Sequence, residues 1–158
     1  MEPARQNVDE QIIQWVTFAL TDEIYGIDVM SVQEVLRGVE ITPVPGTPDY
    51  VLGIINLRGK VVTVLDTRQR FGLPSREMDD NSRVIVMEIG EDIIGILVDS
   101  VAEVVYLRQS EIDVAPNVGN RESSRYIKGV YSSDGELLIL VDLKELLTDE
   151  KGELLSTG

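Results

Sequence analysis

The chain has 158 residues, 14 basic and 28 acidic for a formal charge of −14, and contains neither cysteine nor histidine. Disulfides, thiolate nucleophiles, imidazole acid–base catalysis and most zinc or copper sites are thereby excluded, and the charge repels nucleic acid and anionic membrane surfaces. A 43% apolar fraction with 27% charged residues fits one globular domain of ordinary size.

Residues 1–11 and 149–158 are polar and poor in packing residues, so flexible ends are expected and the folded domain is placed at 12–148. The first element alternates Val16, Phe18 and Leu20 with other residues, turns at Thr21-Asp22-Glu23 and returns through Tyr25, Ile27 and Val29, which predicts a hairpin. Residues 30–36 are ambiguous: Val32, Val35 and Leu36 are spaced for one helical turn, yet valine-rich alternation also permits a strand. The segment from Gly38 to Gly46 is apolar and stiffened by two prolines, which suits a guarded sheet edge or a preformed docking surface. Gly59 to Asp66 is apolar on both faces, a buried strand entered through a glycine turn. Asp66 then stands as N-cap to a short helix at 67–71. Glu77 to Asn81 has ligand-type side chains without the spacing of a calcium loop and reads as a solvated linker.

From residue 84 the pattern starts again. Residues 15–36 align with 84–105 at an offset of 69, placing Ile24, Gly26, Ile27, Val29, Ser31, Val32, Glu34 and Val35 on the identical residues Ile93, Gly95, Ile96, Val98, Ser100, Val101, Glu103 and Val104. Residues 50–66 align with 126–142 at an offset of 76, where Tyr50, Gly53, Gly59 and Asp66 meet Tyr126, Gly129, Gly135 and Asp142. A unit this long that occurs twice makes a pair of subdomains, from about 15–73 and 84–147. Each unit supplies about five short strands, a pattern that favours two small β-barrels with a few short helices. One barrel is expected to centre on the middle of the chain and the other to combine N-terminal with C-terminal strands, with an apolar groove between them.

Candidate chemistry is sparse. Asp66 and Asp142 occupy matching positions, but helix capping accounts for both, and no phosphate-binding or dinucleotide glycine pattern is present. No catalytic residue, metal site or cofactor is expected. The more informative residues are those at which the halves differ. Arg58 sits in the turn Asn56-Leu57-Arg58-Gly59, whereas the twin turn is Ser132-Ser133-Asp134-Gly135. An arginine there either pairs with a neighbouring carboxylate or serves a task that only one half carries.

Several motifs taken together resemble the chemotaxis coupling protein family, CheW. They are Val16-Thr-Phe-Ala-Leu20, Tyr25-Gly-Ile-Asp-Val29, Val32-Gln-Glu-Val35, Ile41-Thr-Pro-Val-Pro45, Gly53-Ile-Ile-Asn-Leu-Arg-Gly59, Val64-Leu-Asp66 and Gly95-Ile-Leu-Val-Asp99. The resemblance covers about residues 12–148 and implies an all-β fold of two intertwined five-stranded SH3-like barrels. It also implies a non-enzymatic adaptor that joins the cytoplasmic tip of chemoreceptors to the regulatory domain of the chemotaxis histidine kinase in signalling arrays. By that resemblance a receptor helical hairpin would meet Val29, Val32, Val35 and Leu36 from the first half and Val98, Val101 and Val105 from the second, with Glu34 and Arg58 as polar contributors. The kinase contact would use Ile41, Val44, Pro45 and Val64.

The implied location is the cytoplasm, with recruitment to arrays at the inner face of the membrane. Direct insertion is not expected, since the longest apolar run, Leu137 to Val141, is too short to span a bilayer. An isolated monomer is expected. The nearest rival reading is an adaptor of the same fold serving a pilus, surface-motility or biofilm kinase system, and a more distant one is a barrel that binds a small ligand.

Overall fold

The computed structural model describes residues 11–114 and 125–148, so the expectation of flexible ends falls almost wholly outside the described residues. The described residues contain ten strands: β1 (Ile12–Leu20), β2 (Glu23–Asp28), β3 (Val32–Leu36), β4 (Val51–Leu57), β5 (Lys60–Asp66), β6 (Arg83–Ile89), β7 (Asp92–Val98), β8 (Ser100–Arg108), β9 (Ile127–Ser133) and β10 (Glu136–Val141). Two one-turn helices, α1 (Thr67–Arg70) and α2 (Leu143–Leu146), follow β5 and β10.

The strands form two five-stranded sheets. The middle sheet has the order β3-β6-β7-β5-β4, and the terminal sheet the order β8-β1-β2-β10-β9. Replacing each strand by its repeat twin converts one order into the other. Each sheet therefore takes the opening hairpin of one repeat and the three later strands of the other, so strand exchange is reciprocal. Each sheet joins the two repeats twice, through an antiparallel pair, β1–β8 or β3–β6, and a parallel one, β2–β10, with Tyr25 opposite Ile139, or β5–β7, with Leu65 opposite Ile96.

Local sequence explains most of the elements. Val29, expected in the returning strand, instead opens a 3-10 turn at Val29–Ser31, capped by the Asp28 carboxylate accepting from Met30 N at 2.9 Å, and the rest of the ambiguous segment forms strand β3. Strand geometry prevails because stiff β-branched residues gain a ladder, Val35 lying opposite Ile85 and Leu36 opposite Val84. Asp66 caps α1 by accepting from Arg68 N at 3.0 Å, and Asp142 caps α2 through Glu145 N at 3.3 Å.

Alternation along the strands sorts side chains into three cores. Val84, Val86, Val62 and Val64 fill the interior of the middle sheet, while Trp15, Leu107, Leu138 and Leu140 fill that of the terminal sheet. Their neighbours Ile85, Met87, Leu65, Phe18, Ile27 and Ile139 join a larger cluster supplied by both sheets. This shared cluster packs the two sheets against each other. Phe18, Tyr25, Phe71 and Tyr126 form a ring chain through it, with centroids 4.9–5.6 Å apart.

Arg70, only 7% exposed, closes one end of the shared core. Its guanidinium lies between the rings of Tyr50 and Tyr126, 4.4 and 4.8 Å from the centroids, and donates to the carbonyls of Leu146 at 2.9 Å and Thr148 at 2.7 Å. An arginine from the first half thus satisfies carbonyls that the last turn of α2 leaves open.

Candidate functional site

The residues at the seam of the middle sheet, where edge strand β3 meets the β4–β5 turn, are built by two local rules. First, Arg58 and Gly59 both have positive φ, 50° and 87°, as a two-residue hairpin turn with right-handed strand twist requires. A left-handed arginine costs about 1 kcal/mol, a conformation that asparagine or glycine would adopt more readily. Asn56 secures the turn by accepting from Gly59 N at 3.1 Å. Second, a bulge between Val32 and Glu34 re-aims β3, so that Glu34 faces the turn.

The result is a two-pronged pair across the seam. Arg58 Nη1 donates to Glu34 Oε1 at 3.4 Å, and Nη2 pairs with Oε2. Hydrogen bonding from Arg58, supported by Coulomb attraction, holds the Glu34 carboxyl below the ordinary glutamate value and raises the guanidinium in turn. Two residues separated by 24 positions are joined in this way, which is the pairing with a neighbouring carboxylate that the sequence offered as one reading of Arg58.

The apolar candidates divide into groups. Val29, Val32 and Val101 are half-buried at the rim of the shared core. Leu36 packs on the middle-sheet core and Val105 on the terminal one, so these two do not join that rim. Val35 is 41% exposed beside Glu34. Val98, at 1%, and Val64, at 0%, are interior, and the expectation that they offer contact surface is corrected. Alternation places both on the inward face of their strands, a position their uniformly apolar surroundings did not reveal.

Ile41, Val44 and Pro45 lie on a segment laid along the outer edge of β4. Thr42 and Ile54 exchange backbone bonds of 2.9 Å each way. The segment lies so close that a Cβ at Gly53 would sit 2.1 Å from Thr42 O. Val44 and Pro45 are exposed, whereas Ile41 is half-buried. The segment thus covers the β4 edge, as the guarded-edge reading expects, and leaves Val44 and Pro45 exposed.

Sequence reasoning missed Met30, 86% exposed on the 3-10 turn between Val29 and Val32. Its signal was available, because the matched position in the second half is Asp99. An exposed thioether adapts to varied partner surfaces.

The twin seam differs. Where β8 meets the β9–β10 turn there is an open cleft of about 410 Å3, with Glu103, Asp134 and Glu136 at its margin. Among the described residues no group of His, Cys, Asp and Glu converges for a metal ion, and no helix is long and apolar enough to cross a membrane.

Residues 14–151 match the family model described as a CheW-like domain. A chemotaxis protein CheW from Klebsiella aerogenes is 36% identical over 138 residues, 87% of this chain and 83% of that protein. The Bacillus subtilis protein of the same name is 30% identical over 138 residues, 87% of this chain and 88% of that protein. The crystal structure of the scaffolding protein TtCheW from Thermoanaerobacter tengcongensis matches at TM-score 0.83 and 35% identity, covering 93% of this chain and all of that one (100%).

Proposed function

The chain belongs to the CheW-like family of scaffold and adaptor proteins, which are not enzymes, and from that premise we propose that it couples the cytoplasmic tip of chemoreceptors to the regulatory domain of a chemotaxis histidine kinase. It works in the cytoplasm, recruited to receptor arrays, and the isolated protein is a monomer. The observation that carries the reading is the middle-sheet seam, where a strained arginine held by a carboxylate stands beside exposed apolar residues. Backbone strain and an ordered ion pair on an open surface add little to folding, which favours a role in recognition.

Receptor contact is assigned to Met30, Val35, Glu34 and Arg58, with Val29, Val32 and Val101 shaping the surface from the rim of the core. Val98 supports it from the shared core and Leu36 from the middle-sheet core, while Val105, packed on the terminal-sheet core, lies away from this surface. The kinase contact is assigned to Val44 and Pro45 with Ile41, on the guarded edge of β4, while Val64 backs that edge from inside the sheet.

The test is reconstitution with receptor tip fragments and the kinase regulatory domain. Val35→Asp should fold normally yet lose receptor association, since a carboxylate facing an apolar helix is costly to desolvate. Pro45→Asp should reduce kinase association alone. Full kinase control with both variants would overturn the assignment.

A further inference from the structure

We infer that the open seam of the terminal sheet is a socket for an arginine side chain carried by a protein partner. The inference stands apart from the adaptor reading, because it rests on a comparison internal to the chain.

In the middle sheet the seam is closed from within: Glu34 on β3 accepts from Arg58 in the β4–β5 turn. The terminal sheet keeps the acceptor, since Glu103 on β8 is the repeat twin of Glu34. It also keeps the turn, with φ of 51° at Asp134 and 82° at Gly135. What it lacks is the guanidinium. Asp134 stands where Arg58 would be, Glu136 adds a further carboxylate, and no described lining residue is basic. The seam consequently remains a cleft of about 410 Å3, within the usual range for a binding site, over a floor that includes Ile24, Val105, Tyr131 and Leu138.

Charge selects the occupant. Carboxylates around an apolar floor favour a cation, and a planar guanidinium can bridge two of them where an ammonium presents only a point charge. A second copy of the chain is a poor candidate, because it carries a net charge of −14. The cleft lies between β8 and the β9–β10 hairpin, and β8 and β9 are the two edges of their sheet. An extended segment with an arginine between apolar residues fits that opening, its apolar side chains reaching the floor.

The experiment uses the full, isotopically labelled chain and two synthetic peptides, Ac-Ser-Val-Arg-Val-Ser-NH2 and its glutamate counterpart. Amide shifts at Glu103, Tyr131, Asp134 and Glu136 should saturate with the arginine peptide, weaken as salt rises and remain flat with the glutamate peptide. Asp134→Arg copies into this seam the residue that closes the other one, and should lower affinity by about tenfold or more. Should that variant not fold, as judged by its amide spectrum, Glu103→Gln serves in its place with an expected several-fold loss. Equal binding of the glutamate peptide, shifts confined to the middle sheet, undiminished binding by a folded Asp134→Arg, or no saturation at millimolar peptide would each overturn the inference. Sedimentation showing self-association that Asp134→Arg abolishes would assign the seam to a second copy and overturn the stated occupant.

Discussion

The turns at Arg58-Gly59 and Asp134-Gly135 have nearly the same backbone, with φ of 50° and 87° in one and 51° and 82° in the other, yet opposite chemistry. One closes its seam with an ion pair, and the other leaves an acidic cleft. Strand twist fixes the backbone at such a turn whatever side chain it carries. The side chain was therefore free to diverge after duplication, so differences between twins point to tasks more directly than the conserved pattern does. The same contrast recurs in the core, where Arg70 in the first half corresponds to Leu146 in the second, and the two residues meet through a backbone carbonyl.

The contrast can be broken most strongly at that core pair. Leu146→Ala should cost about 2–5 kcal/mol in chemical denaturation, as a fully buried side chain is lost. Arg70→Met should cost about 2–3 kcal/mol, because buried carbonyls of Leu146 and Thr148 lose a charged donor while the cost of burying the guanidinium is relieved. A methionine variant as stable as the parent would show that the arginine is not needed to seat α2.

Next come the glycines that admit each connecting segment. Gly53→Ala places a Cβ 2.1 Å from Thr42 O at a φ of +153°, and should cost about 2–3 kcal/mol. Gly129→Ala meets Ile112 Cγ2 at 2.7 Å and Asp113 O at 2.9 Å without an unusual φ, so its cost should be smaller, about 1–2 kcal/mol. Amide exchange at Thr42 and Asp113 would report whether each segment lifts from its edge. Equal costs would mean that backbone conformation adds nothing at Gly53.

At the seams themselves, Arg58→Glu should change stability by about 1 kcal/mol or less, since lost exposed pairing and added like charge act on a solvated turn. Kinase control in reconstituted arrays should nevertheless fail, and a melting temperature lowered by ten degrees would instead make the pair structural.

The smallest effect is on titration. The folded Glu34 carboxyl lies below its ordinary value of 4.5, so the pairing contribution is complete above that pH and is lost as pH falls through the folded value. Following the Glu34 carboxyl carbon by NMR should show a midpoint below 4.5 that rises toward 4.5 in Arg58→Gln. An unmoved midpoint would assign the shift to some other source.

Periodicity and duplication made much of this legible in advance. Val16, Phe18 and Leu20 gave the opening strand, Asp66 and Asp142 gave their caps, and the repeat offsets implied two similar sheets with shared strands. Arg58 stood out because its twin was an aspartate, and Met30 stands out by the same comparison with Asp99. Val64 and Val98 were misplaced for a definable reason: in strands apolar on both faces, sequence does not distinguish a side chain facing a neighbouring core from one facing a partner.

The amino-acid sequence by itself determined the fold class, the turn chemistry and the family, because each depends on local spacing or on an order of motifs along the chain. Tertiary structure alone decided that Glu34 receives Arg58, that Arg70 seats the last helix of the other half, and that one seam is closed and its twin open. Those outcomes depend on which strands become neighbours across dozens of residues. A bulge or a left-handed residue then selects the side chain that faces the partner strand, and no local pattern records that choice.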